Sequence, residues 1–268
     1  MGQTPPSNTG TYIYCVARAQ PFEKGEPPFA TPGIGGREKA VRIVQHGDLV
    51  AVVSDAPQDD YDVNRENVGA HLRVLTQAMT RSDVLPVSFG TVAESDQQVQ
   101  EQLLHGAADE LHRSLAEVRE RIELELKVLW NEERLFAEIM AENDDIRVLR
   151  DRLAGQPPQA TYYERIELGE RVAAAIQRKS EAEGAALLDA IEPLAVETSV
   201  NTNLSDMMLL NAAFLVDKSQ EQAFDARVQE LGEARAGRQV FQYVGPLPPY
   251  NFVDIRLHLE EEPDGSAV

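Results

Sequence analysis

Hydrophobic and polar positions alternate most regularly at 122–130, where Ile122, Leu124, Leu126, Val128 and Trp130 are separated by Glu123, Glu125, Lys127 and Leu129. A period of two predicts a strand with one buried face and puts Glu123 and Glu125 on its solvated side. Earlier, Thr11 to Ala17 sets Tyr12, Tyr14 and Val16 on one face and Ile13, Cys15 and Ala17 on the other. Apolar residues on both faces predict a central strand. Val41–Val44 and Leu49–Val53 flank His46-Gly47-Asp48, a turn signal between antiparallel strands. Val84 to Phe89 is a further strand, with Pro86 placing it at an edge or a strand start.

Elsewhere the period is helical. Asn64 is a candidate cap for a helix carrying Val68, Leu72, Leu75 and Met79 on one face. Ser95 and Gln98 form a capping box ahead of Val99, Leu103, Leu111, Leu115 and Val118. Residues 131–154 are helical through Leu135, Ile139, Ile146, Leu149 and Leu153, and Gly155-Gln-Pro-Pro-Gln159 breaks them. A second long helix over 162–192 carries Ile166, Val172, Ile176, Leu187, Leu188 and Ile191. The pair reads as an antiparallel hairpin projecting as a short coiled coil. Strands at Ala195–Val200 and Met207–Val216 follow, the second apolar on both sides and so central. Ser219 with Gln222 makes another capping box before Phe224, Val228 and Leu231. Val240–Val244 closes the pattern, and Phe252–Leu257 resumes alternation as a final strand.

The fold class is α+β in two domains. A disordered amino terminus at 1–10 precedes an N-terminal α+β sheet domain at 11–120. A modified ferredoxin-like domain at 121–257 has the order β, α-hairpin, β, β, α, β, with the helical hairpin inserted at 131–192. An acidic tail covers 258–268.

Charge narrows the partners. Forty-five acidic against 25 basic side chains give a net charge of −20 over 268 residues, which repels phosphate backbones and anionic lipid. No nucleic acid and no membrane partner is expected; no apolar run reaches the roughly 20 residues of a bilayer span. A single cysteine, Cys15, and an amino terminus without a basic-then-apolar leader suit the cytoplasm.

Candidate chemistry is sparse. None of His46, His71, His105, His112 and His258 lies three or four residues from another, so no metal site is expected. Cys15 sits in an apolar strand, where a buried thiol is commoner than a nucleophile. Gly33-Ile34-Gly35-Gly36 has no Lys-Ser/Thr sequel, so a loop is favoured over a phosphate cradle. Neither cofactor nor catalytic residue is expected. What stands out is the elbow Gly245-Pro-Leu-Pro-Pro-Tyr-Asn-Phe252 after the Val-Phe-Gln-Tyr strand. Its prolines cannot continue a ladder and stiffen the chain. Beside a sheet edge such a stretch suits partner binding, through Tyr243, Gly245, Pro246, Pro248, Pro249, Tyr250 and Phe252.

The elbow, with Tyr12-Ile-Tyr-Cys-Val-Ala17, Val84-Leu-Pro-Val-Ser-Phe-Gly-Thr-Val92 and Glu123-Leu-Glu-Leu-Lys-Val-Leu-Trp130, resembles the gas vesicle GvpF/GvpL family in the expected order across 11–257. The family pattern has an aromatic where Leu247 stands and Arg where Ser88 stands. The resemblance implies an α+β domain followed by a modified ferredoxin-like domain with a helical insert. It also implies an accessory or minor shell protein that acts in vesicle nucleation by binding the major shell subunit, GvpA, without catalysis, in the cytoplasm and at the vesicle. The competing class is a small-ligand enzyme with its site where the two domains meet.

Overall fold

The computed structural model describes residues 9–22, 29–35, 40–57 and 61–253. The chain divides into two compact units, one of residues up to Ile122 together with those from Leu247, the other from Glu123 to Pro246. The predicted extent of the second domain, 121–257, differs at its end. The chain from Leu247 groups with the first unit, because Tyr250 packs into the first unit's core.

The first unit is built on β1 (Thr9–Arg18), β2 (Val41–His46), β3 (Leu49–Pro57), β4 (Val84–Pro86) and β5 (Val92–Ala93). The sheet order is β2-β3-β1-β4, with β5 also on β1. His46 and Leu49 pair across a two-residue turn whose Gly47 has φ +58°, a conformation that favours glycine. β1 is central, as its pattern predicts, but it does not alternate throughout. The register with β3 slips between Ile13 and Cys15, leaving Tyr14 as the extra residue of a bulge. The faces therefore exchange: Cys15 and Ala17 join Tyr12 and Tyr14 in one core cluster, and Val16 joins Ile13 in the other.

Helix α1 (Arg65–Met79) covers the tyrosine face, capped by Asn64, which accepts from Asn67 N at 2.9 Å. Its buried stripe is Ala70, His71, Val74, Leu75 and Ala78, rotated from the predicted one, and Leu72 is exposed. On the opposite face lie the short α2 (Asp96–Gln98), a π-helical stretch Val99–His105 and α3 (Ala108–Glu117). Ser95 accepts from Gln98 N as expected. The single predicted helix is interrupted at Gly106, yet Val99, Leu103, Leu111, Leu115 and Val118 share one core.

The second unit contains β6 (Arg121–Trp130), α4 (Glu132–Glu142), α5 (Asp144–Leu153) and α6 (Tyr162–Ile191). β7 (Glu197–Val200), β8 (Met208–Asp217), α7 (Glu221–Ala234) and β9 (Gln239–Leu247) follow. The sheet order is β7-β8-β6-β9. β8 is buried along nearly its whole length, as a strand apolar on both faces should be. β6 alternates from Leu124 onward, but Glu123 is 1% exposed and not on a solvated face, since the strand's start is covered on both sides.

The predicted 131–154 helix is two helices joined at Asn143, whose side chain donates to Ile139 O at 2.9 Å. α6 returns antiparallel along them: Arg165 donates to Leu153 O, Arg171 to Asp145 and Lys179 to Glu142. Its far half lies on the sheet, with Gly184 against the Leu209 carbonyl, and the large exposed apolar side chains of the helix, Tyr162, Tyr163 and Ile166, lie in its first turns. Ser219 caps nothing. It lies in a 3-10 turn, Lys218–Gln220, that leads directly into α7. The final strand predicted over Phe252–Leu257 begins instead as a turn through Phe252, and 254–257 lie outside the described residues.

Candidate functional site

In the second unit β9 ends the sheet, with β6 on one side and no strand on the other among the described residues. Side chains alternate along it. Val240 and Val244 are each 51% exposed on one face. Phe241 and Tyr243 turn to α7: Phe241 lies beneath Gly232, and Tyr243 stacks on Phe224 with ring centroids 6.1 Å apart. The Tyr243 hydroxyl donates to Asp225, and burial together with that carboxylate holds the phenol protonated well above its ordinary range. Between strand and helix runs an open groove lined by Val228, Gly232, Ala236, Phe241 and Tyr243, with Asp225, Gln229 and Glu233 along one rim.

The predicted elbow residues do not form one patch. Gly245 and Pro246, joined by a cis peptide, are exposed where β9 ends. Gly245 has no room for a side chain, since a Cβ would overlap Leu124. Pro248 and Pro249 are buried, and Phe252 is half-buried in a turn where its N–H donates to Pro249 O at 3.2 Å.

Tyr250 belongs to a polar relay inside the first unit. Its hydroxyl is 2.6 Å from His71 Nε2, and His71 Nδ1 is 2.9 Å from the Tyr12 hydroxyl. Gly90 N donates to the same Tyr12 oxygen at 3.0 Å. His71 is 1% exposed, and burial pulls its pKa down to about 4, so the ring is neutral at pH 7. A neutral imidazole has one donor and one acceptor nitrogen, so it serves both hydroxyls. Burial raises the Tyr12 and Tyr14 phenols above their already high ordinary value, so both stay protonated. The relay links β1, α1 and the returning chain, and no sequence spacing pointed to it. The available signal was His71 falling one turn before Val74 and Leu75, and two before Ala78, on a single helical stripe.

Among the described residues the remaining candidates have structural partners, and His258 lies outside them. Cys15 is buried and its thiol is pushed up by burial. Gly33 packs where a Cβ would strike Tyr14 and Ser54, and Ile34 N donates to the Tyr14 hydroxyl at 2.7 Å, so this loop docks on the sheet; Gly36 lies outside the described residues. His46 and His105 approach to 4.9 Å between ring centroids, and His112 Nε2 meets Asp48 at 2.9 Å. Among the described residues no three His, Cys, Asp or Glu side chains are placed to hold a metal ion. A charge network ties α4 and α6 to the approach to β9. Arg238 makes two bonds to Glu138, reaches Glu183 and lies over the Trp130 ring, while Lys179 bonds Glu142.

These features define an α+β protein of two sheet-based units, the second ending in an open strand. The chain belongs to the family of gas vesicle synthesis proteins GvpL/GvpF, which matches residues 10–254. It is 33% identical to gas vesicle protein F of a Streptomyces species over 91% of this chain and 99% of the relative. It is also 30% identical to gas vesicle protein L of a Streptomyces species, over 91% and 92% of the two chains. The crystal structure of GvpF from an Anabaena species superposes with a TM-score of 0.77 at 24% identity, covering 92% of this chain and 99% of that one. That likeness shows the fold. The family places the chain among the proteins of gas vesicle formation. Among the described residues no helix is long and apolar enough to cross a membrane.

Proposed function

We propose that this protein acts in gas vesicle nucleation and assembly by binding the major shell subunit, GvpA, in the cytoplasm and at the growing vesicle. It holds or delivers subunits and shields their apolar surface, without turning over a substrate. The observation that carries the reading is the open β9 edge, which exposes Val240 and Val244 and runs into the exposed Gly245-Pro246 corner. A terminal strand offers unpaired backbone groups to an added partner segment. Tyr243, Gly245 and Pro246 are the accessible part of this surface. Pro248, Pro249, Tyr250 and Phe252 anchor the chain that follows it. We read the second unit as a modified ferredoxin-like domain with the α4–α6 hairpin inserted in its first crossover. The strand order β7-β8-β6-β9 supports this.

The test is co-expression of the tagged full chain with GvpA. The subunit should remain with the protein through purification, and the double variant Val240→Asp/Val244→Asp should lose it while the far-UV spectrum stays native. Absence of GvpA from the wild-type preparation, or equal retention by the double variant, refutes the reading.

A further inference from the structure

We infer that the groove between α7 and β9 is a docking site for an extended peptide segment in which basic and apolar residues alternate, added as a strand to the β9 edge. The inference rests on the reading of the chain as a binding protein, though not on the identity of its partner.

The rim supplies the charge. Glu221, Asp225, Gln229 and Glu233 follow one another at four-residue steps along α7, so they form a row on one side of the helix. Asp225, Gln229 and Glu233 line the groove, and Glu221 lies close enough to raise the Tyr243 phenol further. Among the described residues no cation lines the groove. The neighbouring guanidinium groups are engaged elsewhere: Arg227 with Glu230 and Ala190 O, Arg235 with Leu231 O, and Arg238 with Glu138 and Glu183.

The repeat distances agree. Four residues of helix advance about 6 Å. Every second residue of a strand advances about 6.8 Å, so alternate side chains of an added strand keep pace with this row of three carboxylates and the Gln229 amide. Side chains that face α7 cross the apolar floor of Val228, Gly232, Ala236 and Phe241 before reaching the rim. Lys or Arg fits that path, with its stem on the floor and its charge at the carboxylates. The intervening side chains point to the opposite face, beside the exposed Val240 and Val244, and there apolar residues pack as cross-strand neighbours.

The probes are an acetylated, amidated Lys-Val alternating heptapeptide, its Glu-Val counterpart, and a block isomer with the lysines and valines segregated. Each is titrated against the full chain by fluorescence anisotropy. The alternating basic peptide should bind at least about tenfold more tightly than the block isomer and weaken as salt screens the rim. Gly232→Leu should lower its affinity about tenfold, because a Cβ there meets Phe241 at an ordinary 3.7 Å and the rest of the side chain fills the groove. Leucine also favours the helix, so this variant should fold. Glu233→Lys should weaken binding and flatten its salt dependence. Equal binding of the block isomer, or binding unchanged by Gly232→Leu, overturns the assignment. So does a concentration-dependent dimer that Gly232→Leu abolishes while neither peptide binds, since the edge then belongs to a second copy. Failure to retain GvpA in the co-purification sinks the shell-subunit reading alone, because the peptide titration does not involve that subunit.

Discussion

Acidification should destabilise the first unit through His71 before most carboxylates protonate. The folded ring titrates at about 4 because it is buried, against 6.5 when exposed. Between those values the unfolded chain binds a proton that the folded chain does not, so stability rises with pH and is lost as pH falls. Above about 6.5 and below about 4 the contribution is flat. Over the full interval the loss is about 3 kcal/mol, at about 1.4 kcal/mol per pH unit. The net charge vanishes near pH 4.6, where solubility falls, so the useful window runs from about pH 7.5 to 5.2 and should show about 2 kcal/mol. The assay is urea unfolding at several pH values, read by hydrogen-exchange pulses at one fixed pH on a peptide covering α1. His71→Gln keeps a polar group between the two tyrosines and removes the titration. The wild type should therefore lose about 2 kcal/mol more than the variant across the window. A constant difference between the two proteins would refute the reasoning, because it would mean that His71 is not neutral and shielded in the fold. Tyr250→Phe deletes one hydroxyl of the relay and should cost about 1–2 kcal/mol at pH 7 in the same assay, since His71 loses a partner inside the core.

Two further outcomes follow from single contacts. Gly184→Ala gains about 1 kcal/mol of helix propensity. It also sets a Cβ 2.8 Å from the Leu209 carbonyl, and backbone must shift to accept it. A net loss of about 1–3 kcal/mol is expected, and a higher melting temperature would contradict the close approach of α6 to β8. Cys15 is fully buried, so aromatic disulfide reagents should label it only as fast as the first unit opens, with labelling accelerated by subdenaturing urea. Rapid stoichiometric labelling of the native chain would show that β1 is not the central strand.

Elements whose signal is local were legible before the structure. The Asn64 cap, the Gly47 turn and β8, apolar on both faces, depend on neighbours a few residues away. Features set by pairing across the sheet were not. The Tyr14 bulge exchanges the faces of β1, yet nothing in Tyr12-Ile-Tyr-Cys-Val-Ala17 marks an extra residue, because both faces are apolar and either register satisfies the pattern. The buried side of α1 was displaced because Ala70, His71 and Ala78 carry little hydrophobic weight. Burial of Glu123 depends on which surfaces meet around the start of β6, and that is not written in the strand.

The elbow identifies the chain, yet only its Gly245-Pro246 corner lies on the binding surface proposed above. Its prolines and Tyr250 stand out in the sequence because rigid and aromatic residues are uncommon together. In the fold Pro248 and Pro249 are buried and Tyr250 secures His71, roles that a packed core demands whatever the protein binds. The groove beside β9 has the opposite character. Its rim residues, three acids and Gln229, fall at four-residue steps on an otherwise ordinary amphipathic helix, which in a chain of net charge −20 looks like any solvated face. Only the placement of β9 at the end of the sheet turns that face into the wall of an open groove. An interaction surface built from a strand edge and a helix flank would draw its affinity from backbone pairing and its specificity from the spacing of ordinary side chains, so it leaves little compositional trace, whereas the residues that lock the chain into place leave a conspicuous one.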